Sequence, residues 1–320
     1  MRELRAAVVG VGRLGALHAL KYTNLAGVRL CYVIDANPRR ACEIAALTGA
    51  VALPDHRALA GKVELASVAA PSLAHHTIAR DLMFAGIDVL LEKPMAATLA
   101  EAGELAAIAR DSGRILQIGH LERFNPAIVR LRPLLNNPRF IECHRLAPFT
   151  ERGTDVDVIL DLMVHDLDVI LSVTSAAVSS LEAVGVAVIT DHIDVANARV
   201  RFADRLIANL NTSRVAPRKE RKIRFFQPDA YISLDYEARR IQIYRKEAPP
   251  PGAAYPVISA EQIDIDEGDP LRDEIAAFVQ SVHTRRIPEV DPATGLRVME
   301  LSEQIVVAIR EAALDVSVNG

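Results

Sequence analysis

The chain has 320 residues and half of them are apolar, which is enough for two hydrophobic cores and excludes a disordered protein. With 37 basic and 41 acidic residues, the net charge of −4 excludes a field that would gather nucleic acid or an anionic membrane surface. The three cysteines have no metal-ligand spacing and favour a reducing cytoplasm. Because no signal peptide and no long uncharged apolar run is visible, we expect a soluble cytoplasmic protein without an anchor.

Residues 1–122 alternate short apolar runs with helical stretches, the pattern of a doubly wound parallel sheet. Asn37-Pro38 is typical of a helix start, and Thr98 with Glu101 forms a capping box. The sequence therefore predicts a Rossmann-type α/β domain. Its predicted strands are Leu4–Val9, Val28–Ile34, Glu64–Ala70, Ile87–Leu91 and Arg114–Ile118.

Residues 123–320 have longer alternating strands, which predict an α+β domain with a large, mostly antiparallel sheet open on one face. An uncovered sheet face usually packs on another subunit, so we expect a homodimer or homotetramer formed through it. Two closing helices are predicted at Pro270–Val282 and Pro292–Ala313, and they can pack back towards the first domain. The predicted strands are Arg139–Leu146, Ser179–Ile189, Val195–Phe202, Leu206–Thr212, Arg221–Phe226 and Tyr231–Leu234.

Three glycines, Gly10, Gly12 and Gly15, follow the first strand and open a helix. Such glycines make a tight turn and let a pyrophosphate approach the helix N-terminus. Asp35 ends the second strand twenty residues later, where a carboxylate binds the adenosine ribose hydroxyls and repels a 2′-phosphate. The pattern predicts a dinucleotide site and favours NAD over NADP, although Arg39 and Arg40 lie close to it.

Three further strands end in polar or proline-containing segments, Pro71–His75, Glu92-Lys93-Pro94 and Gly119–Pro126. Loops after parallel strands lie on one edge of the sheet, where ligands bind. The proline after Lys93 restricts the lysine backbone, so the side chain has a defined direction. We therefore expect Lys93 and His120 to lie at one ligand site.

A predicted helix from Asp155 to Thr174 is apolar nearly all round, which indicates burial. Asp157, Asp161, His165 and Asp168 form one polar stripe on it. Asp161 can orient the His165 imidazole one turn away, which predicts a general-base dyad. Two alternatives stay open: a metal site with His120, and a purely structural histidine. No comparable context surrounds four other histidines, namely His18, His56, His144 and His283.

These motifs together resemble the glucose-fructose oxidoreductase, inositol dehydrogenase and MocA superfamily over essentially the whole chain. The resemblance implies that Lys93, Asp161 and His165 surround the nicotinamide and the substrate carbon, without a metal. Met163 departs from many members, which carry glycine near that position. The resemblance implies that NAD is bound at Gly10, Gly12, Arg13, Leu14, Gly15, Asp35, Pro71, His75, Glu92, Lys93 and Pro94.

Three segments, at residues 119–127, 144–168 and 213–236, look like the UDP-N-acetylglucosamine 3-dehydrogenases of the lipid A pathway. This implies oxidation of the sugar 3-hydroxyl to a ketone, which a partner aminotransferase then converts to an amine. The arginines implied for the diphosphate of the nucleotide sugar are Arg123, Arg152 and Arg214. The full implied substrate set is Lys93, His120, Arg123, Asn125, Arg152, Asp161, His165 and Arg214.

Two other functions remain open at this stage. One is a dehydrogenase of a different sugar, nucleotide sugar or inositol, because a fold does not determine a substrate. The other is a non-catalytic NAD-sensing regulator, since the superfamily also contains a transcriptional co-repressor. Lys93, Asp161 and His165 argue against the regulator, because a sensor has no use for a base dyad. Spacing alone does not decide whether Lys93 or His165 accepts the proton.

Overall fold

Parallel strands separated by helices build the first half of the chain. The structure, a computed structural model, describes residues 2–151, 154, 156–249, 251–252 and 254–318. It divides into two units, one of residues 1–124 and 269–299 and the other of residues 125–268 and 300–320. No helix among the described residues has both the length and the apolar character needed to cross a membrane.

The first unit contains a six-stranded parallel sheet in the order β3-β2-β1-β4-β5-β6. Its strands are β1 (Leu4–Val9), β2 (Val28–Ile34), β3 (Val51–Leu53), β4 (Leu65–Val68), β5 (Asp88–Glu92) and β6 (Leu116–Gly119). Its helices are α1 (Arg13–Thr23), α2 (Pro38–Thr48), α3 (Ser72–Phe84), α4 (Leu99–Ser112) and α7 (Pro270–Thr284), with short 3-10 turns at His56–Leu59 and Leu121–Phe124. The predicted Rossmann sheet is confirmed. It contains one strand, β3, that was not among the predicted strands.

Both faces of this sheet are covered, so its strands are apolar without alternation. All residues of β4 and β5 are buried. Ile275 and Phe278 of α7 share one core cluster with Val8 of β1 and Tyr22 of α1. The helix after residue 269 therefore belongs to the core of the first unit, although it follows the second unit's sheet in sequence.

The second unit contains an eight-stranded sheet in the order β14-β13-β12-β11-β7-β10-β9-β8. Its strands are β7 (Phe140–Leu146), β8 (Val178–Val186), β9 (Val195–Phe202), β10 (Ile207–Ser213), β11 (Glu220–Phe226), β12 (Ala230–Asp235), β13 (Arg240–Glu247) and β14 (Val257–Asp264). Its helices are α5 (Pro126–Leu131) and α6 (Val164–Val173), followed at the chain end by α8 (Pro292–Val318), whose first residues belong to the first unit. A 3-10 turn lies at Arg132–Leu134 and a π-helical turn at Ile159–Met163.

The predicted mostly antiparallel sheet is confirmed, and β7 with β10 is its one parallel pair. Strands β13 and β14 were not predicted from the sequence. Both strands lie at one end of the sheet and carry charged residues on their exposed positions, which weakens the apolar signal.

The predicted helix from Asp155 to Thr174 differs from the one observed. Asp155 lies outside the described residues, and helical structure begins at Val158, passes through the π-helical turn and continues as α6. Asp157 precedes the helix and accepts a hydrogen bond from the Ile193 backbone, 2.9 Å away. The predicted stripe of four polar residues on one regular helix is therefore wrong, because the π turn changes the spacing and Asp157 stands outside it.

A buried carboxylate organises the loop between β8 and β9. Asp194 accepts hydrogen bonds from the backbone N–H groups of Val188, Ile189 and Thr190 at 2.7 to 2.9 Å and from the Thr190 hydroxyl at 2.8 Å. Burial by itself raises the pKa of Asp194, but these donors outweigh it and bring the pKa down to about 2. Folding of this loop therefore stabilises the ionised carboxylate.

Substitution of this carboxylate by an amide tests its contribution. We expect Asp194→Asn to lower the free energy of unfolding by about 2 kcal/mol at neutral pH, because a depressed pKa in the folded state stabilises it. The contribution is complete above the unfolded pKa of about 4 and is lost as the pH falls through about 2. Urea unfolding at neutral pH and near pH 3 measures whether the difference between the two proteins shrinks.

The matched control is Asp266→Asn, which alters an exposed carboxylate of the same unit. It should change stability by less than about 0.5 kcal/mol. Equal stability of Asp194→Asn and the unsubstituted protein at neutral pH would contradict the assignment.

Candidate active site

The glycine turn joins β1 to α1 and depends on two close approaches. A Cβ on Gly15 would stand 1.7 Å from the Gly10 carbonyl oxygen, and a Cβ on Gly10 would stand 2.5 Å from the Ala70 nitrogen. Gly10 also has a φ of +83°. Gly12 is different, because no atom lies within 4 Å of the position its Cβ would take. No side-chain hydrogen bond caps the N-terminus of α1, which begins directly after Gly12.

Asp35 stands at the end of β2, next to this turn. Its carboxylate accepts hydrogen bonds from the backbone of Val11 and of Asn37, both at 2.8 Å. The Arg40 guanidinium donates to the Val11 carbonyl at 2.8 Å and pairs with Glu43 at 2.8 Å. Arg40 is therefore engaged by the protein, while half-buried Asp35 faces the glycine turn.

The loop after β4 ends at exposed Pro71 and leads to His75 in α3. The His75 side chain is buried, with Nδ1 2.8 Å from the Pro94 carbonyl oxygen and Nε2 2.8 Å from the Ala70 carbonyl oxygen. The imidazole therefore links the loops that follow β4 and β5.

The segment Glu92-Lys93-Pro94 begins at the last residue of β5 and contains a cis peptide bond before the proline. Lys93 is half-buried, whereas the Glu92 side chain points into the protein. Glu92 Oε1 lies 3.0 Å from His18 Nε2, and a Cβ on Gly119 of β6 would come within 2.8 Å of the Glu92 carboxylate. His18 has no exposed surface, and its contact with Glu92 shows that the prediction of no comparable context for this histidine was wrong.

The segment after β6 carries three residues of the predicted substrate set. His120 and Arg123 are buried, His120 directly before the 3-10 turn Leu121–Phe124 and Arg123 within it. Asn125 begins the second unit, where its side-chain oxygen caps α5 by accepting from the Ala127 backbone at 3.0 Å. The first two follow the same sheet edge as Lys93.

In the second unit, Asp161 lies in the π-helical turn and His165 in the first turn of α6, and both are half-buried. Their neighbour Asp166 is buried and forms a two-pronged ion pair with Arg145 of β7, at 2.9 and 2.8 Å. Asp168 is fully buried. π-helical turns occur often at functional sites.

The remaining predicted arginines lie in different surroundings. Arg214 is buried, donates to the Val156 carbonyl and stands 3.5 Å from Asp194. Arg152 lies outside the described residues. The basic residues that follow Arg214 line a cavity of about 350 Å³ together with Asp235 and Glu237. There Lys219 pairs with Glu237 at 2.8 Å and Lys222 with Asp235 at 3.2 Å.

Within the described part of the chain, one group of side chains has the spacing of metal ligands. It consists of His18, Glu92 and Glu274, whose candidate atoms all lie within 4.8 Å of one another. Neither this group nor the Arg145–Asp166 pair was predicted from the sequence, because each joins residues that are separated along the chain. A signal was present for His18, which lies one turn after Gly15 on the helix that the glycine turn opens.

Two family models match the chain. Residues 4–120 match the oxidoreductase family with an NAD-binding Rossmann fold, and residues 135–233 match the GFO/IDH/MocA C-terminal domain. The chain is 38% identical over 311 residues to UDP-N-acetylglucosamine 3-dehydrogenase of Acidithiobacillus ferrooxidans, covering 97% of this chain and 98% of that protein. It is 29% identical to the myo-inositol dehydrogenase Hyg17 of Streptomyces leeuwenhoekii, covering 67% of this chain and 71% of that protein.

Solved structures give the same result. The UDP-N-acetylglucosamine 3-dehydrogenase of Acidithiobacillus ferrooxidans superposes with a TM-score of 0.90 over 97% of this chain and 98% of that chain, at 38% identity. Myo-inositol 2-dehydrogenase of Lactobacillus plantarum, at 17% identity, shares the fold with a TM-score of 0.81 over 97% of this chain and 98% of that chain. The prediction of NAD agrees with the family description. With its glycine turn, its Glu92-Lys93-Pro94 segment and near full-length similarity, the chain belongs to the Gfo/Idh/MocA family of NAD-binding oxidoreductases.

Proposed function

We propose that this protein is an NAD-dependent dehydrogenase that oxidises the 3-hydroxyl of UDP-N-acetylglucosamine to a ketone. The observation that carries the proposal is 38% identity over 97% of the chain to a relative with that activity in its name, in a chain that has Lys93, Asp161 and His165. Family membership alone supports a dehydrogenase and leaves the sugar open.

The glycine turn fits a dinucleotide. The space beside Gly12 and the uncapped N–H groups of α1 suit a pyrophosphate, because a helix N-terminus carries partial positive charge. Asp35, at the end of β2, is placed to accept hydrogen bonds from ribose hydroxyls, and its charge disfavours a 2′-phosphate. We therefore assign the cofactor residues predicted above to NAD, with His75 acting through the loop that it holds in place.

When bound, NAD supplies the acceptor for the hydrogen that leaves the sugar carbon with its electron pair. The protein has to remove the hydroxyl proton and stabilise the oxygen while charge develops on it. We propose that His165, oriented by Asp161, takes the proton. The Lys93 ammonium then stabilises the developing alkoxide.

For the rest of the substrate, His120, Arg123 and Asn125 are proposed contacts, and Arg123 and Arg152 are the proposed partners of the diphosphate. Arg214 has a different place in the proposal, because its guanidinium is engaged by the Val156 carbonyl and stands next to Asp194. It holds the segment that leads into the Asp161 helix, and so acts on the substrate indirectly.

The chemistry of the product suggests the partner of the reaction. Oxidation of an alcohol by NAD is unfavourable near neutral pH, so a following step has to remove the ketone. We propose an aminotransferase, which would convert the ketone to a 3-amino sugar. Reaction in the cytoplasm fits the free cysteines Cys31, Cys42 and Cys143.

The first test of the proposed function follows reduced nicotinamide with UDP-N-acetylglucosamine and NAD, in the presence of an aminotransferase and an amine donor. Lys93→Met should lower kcat by about 1,000-fold and His165→Asn by about 100-fold, which is the range for loss of electrostatic or general-base catalysis. The dissociation constant of NAD, from fluorescence quenching, should stay within about two-fold in His165→Asn, because His165 lies outside the residues assigned to NAD.

Two controls test the choice of substrate and the role of Lys93 separately. Myo-inositol and free N-acetylglucosamine should be oxidised much more slowly, because they lack the diphosphate. Faster turnover of myo-inositol than of UDP-N-acetylglucosamine would contradict the proposed substrate. It would still agree with a dehydrogenase activity. Full activity of Lys93→Met would contradict the role of Lys93.

A second test concerns the glycine turn. We expect Gly12→Val to weaken NAD binding at least about 10-fold, because no protein atom lies within 4 Å of the position of its Cβ and the side chain would fill the pyrophosphate space. The melting temperature of the variant measures whether the fold is retained. Gly103→Ala is the matched control, since a Cβ at Gly103 in α4 also meets no atom. NAD binding unchanged in Gly12→Val would contradict the cofactor site.

We further propose that the protein forms a homodimer or homotetramer through the face of the second unit's sheet that presents Phe140, Phe226, Tyr231 and Tyr244. These four rings follow one another across β7, β11, β12 and β13, with centroids 5.0 to 5.5 Å apart. A row of partly exposed rings on a sheet face is typical of a surface that another subunit covers.

Sedimentation analysis tests this proposal. Tyr231→Asp should shift the protein to a smaller species, because a charge in the covered row has to be desolvated. Tyr255→Asp changes a tyrosine that is 82% exposed and outside the row, and should leave the assembly intact. The same mass for both variants and the unsubstituted protein would contradict an interface at the aromatic row.

A further inference from the structure

Two buried histidines contact the residues on either side of Lys93. His18 of α1 meets the Glu92 carboxylate, with Nε2 3.0 Å from Oε1. His75 of α3 meets the Pro94 carbonyl, with Nδ1 2.8 Å from the oxygen. Both imidazoles come from helices that pack on the sheet, and neither lies next to Lys93 in sequence. The lysine is thus flanked by two residues that are held from other elements.

The contact on the Glu92 side leaves the carboxylate little room. His18 is 0% exposed and Glu92 is 9% exposed. Gly119 approaches so closely that an added Cβ would come within 2.8 Å of the carboxylate. Glu274 of α7 completes the surroundings. Because the space is filled, a change at His18 is transmitted to Glu92 rather than absorbed.

The contact on the Pro94 side depends on the tautomer of His75. Its two ring nitrogens face two carbonyl oxygens, of Pro94 and of Ala70, both at 2.8 Å. A neutral imidazole carries one N–H, so only one of the two carbonyls receives it. If Nδ1 carries the hydrogen, His75 holds the turn that contains Lys93.

We propose that His18 and His75 are positioning residues for Lys93, with His18 donating through Nε2 to Glu92 and His75 through Nδ1 to Pro94. The inference rests on the catalytic role proposed for Lys93. A lysine stem has four rotatable carbons, so the place of its ammonium depends on a fixed backbone at residues 92–94. A displacement of about 1 Å at a reacting group can cost about 100-fold in rate.

Paired amide substitutions distinguish the two ring nitrogens. A glutamine places its amide nitrogen near the position of imidazole Nε2, and an asparagine places it near Nδ1. We therefore expect a crossed pattern. His18→Gln should keep a kcat at least about 10-fold above that of His18→Asn, and His75→Asn at least about 10-fold above that of His75→Gln.

The dissociation constant of NAD and the melting temperature are measured for all four variants. A general loss of structure would lower kcat in both asparagine variants or in both glutamine variants. It would not produce the crossed pattern. The two histidines are tested separately, so one pair that folds is enough to decide its own contact. Ser67→Ala is the control, because Ser67 is a buried polar residue of the neighbouring strand β4 that contacts Tyr22 and not Glu92.

A second readout does not depend on turnover. The chain has six lysines, so reductive methylation with ¹³C-formaldehyde gives few resonances, and the Lys93 signal is the one missing in Lys93→Arg. That signal should shift in His18→Asn and His75→Gln and shift less in His18→Gln, His75→Asn and Ser67→Ala. This result would support the positioning role even if the nucleotide sugar proved not to be the substrate.

Three results would overturn the inference. One is a Lys93 signal that stays in place in all variants, and another is equal activity within each Gln and Asn pair. The third is a stoichiometric zinc ion in the purified protein that is lost in His18→Gln, since the group at His18 would then be a metal site. Failure of the unsubstituted protein to oxidise the sugar would count against the proposed function alone.

Discussion

The contact between Gly15 and the Gly10 carbonyl oxygen determines the place of α1, and much of the first unit depends on it. Because a Cβ at position 15 would stand 1.7 Å from the Gly10 carbonyl oxygen, no other residue fits there without moving the helix. One turn later, the same helix carries His18 to the Glu92 carboxylate. The turn that suits a pyrophosphate and the segment that carries Lys93 are therefore connected by a single rigid helix.

The first unit encloses several polar groups around His18. His18, Glu92 and Glu274 lie together, and the Tyr22 hydroxyl bonds Ser67 at 2.9 Å nearby. Burial raises the pKa of Tyr22 far above its usual range, so its hydroxyl stays protonated. Burying a polar group costs free energy unless the group is paired. A protein with apolar residues of similar size at such positions is often no less stable. Their presence beneath the Lys93 segment is better explained by positioning than by stability.

Local patterns explain which parts could be predicted from the sequence. β1, β2 and β9 have their predicted bounds, because apolar runs and turn residues mark both ends. The glycine turn, Asp35 and Lys93 are each recognisable within a few residues. β13, β14 and the π-helical turn were missed, since β13 has few apolar residues after Ile243, β14 is an edge strand with mostly exposed positions, and a local change of helix spacing leaves no periodic signal. His18 was missed because its partner Glu92 is 74 residues away and only the sheet brings them together.

In both units, a buried carboxylate lies next in sequence to a proposed catalytic residue. Glu92 precedes Lys93, and its carboxylate is held inside the first unit by His18. Asp166 follows His165, and its carboxylate is held inside the second unit by two bonds from Arg145. A residue adjacent in sequence shares a peptide bond with the proposed catalytic residue, so anchoring it restricts that backbone without occupying the side chain that has to react. The Cα of each proposed catalytic residue is thereby held in place by its neighbour and not through its own side chain.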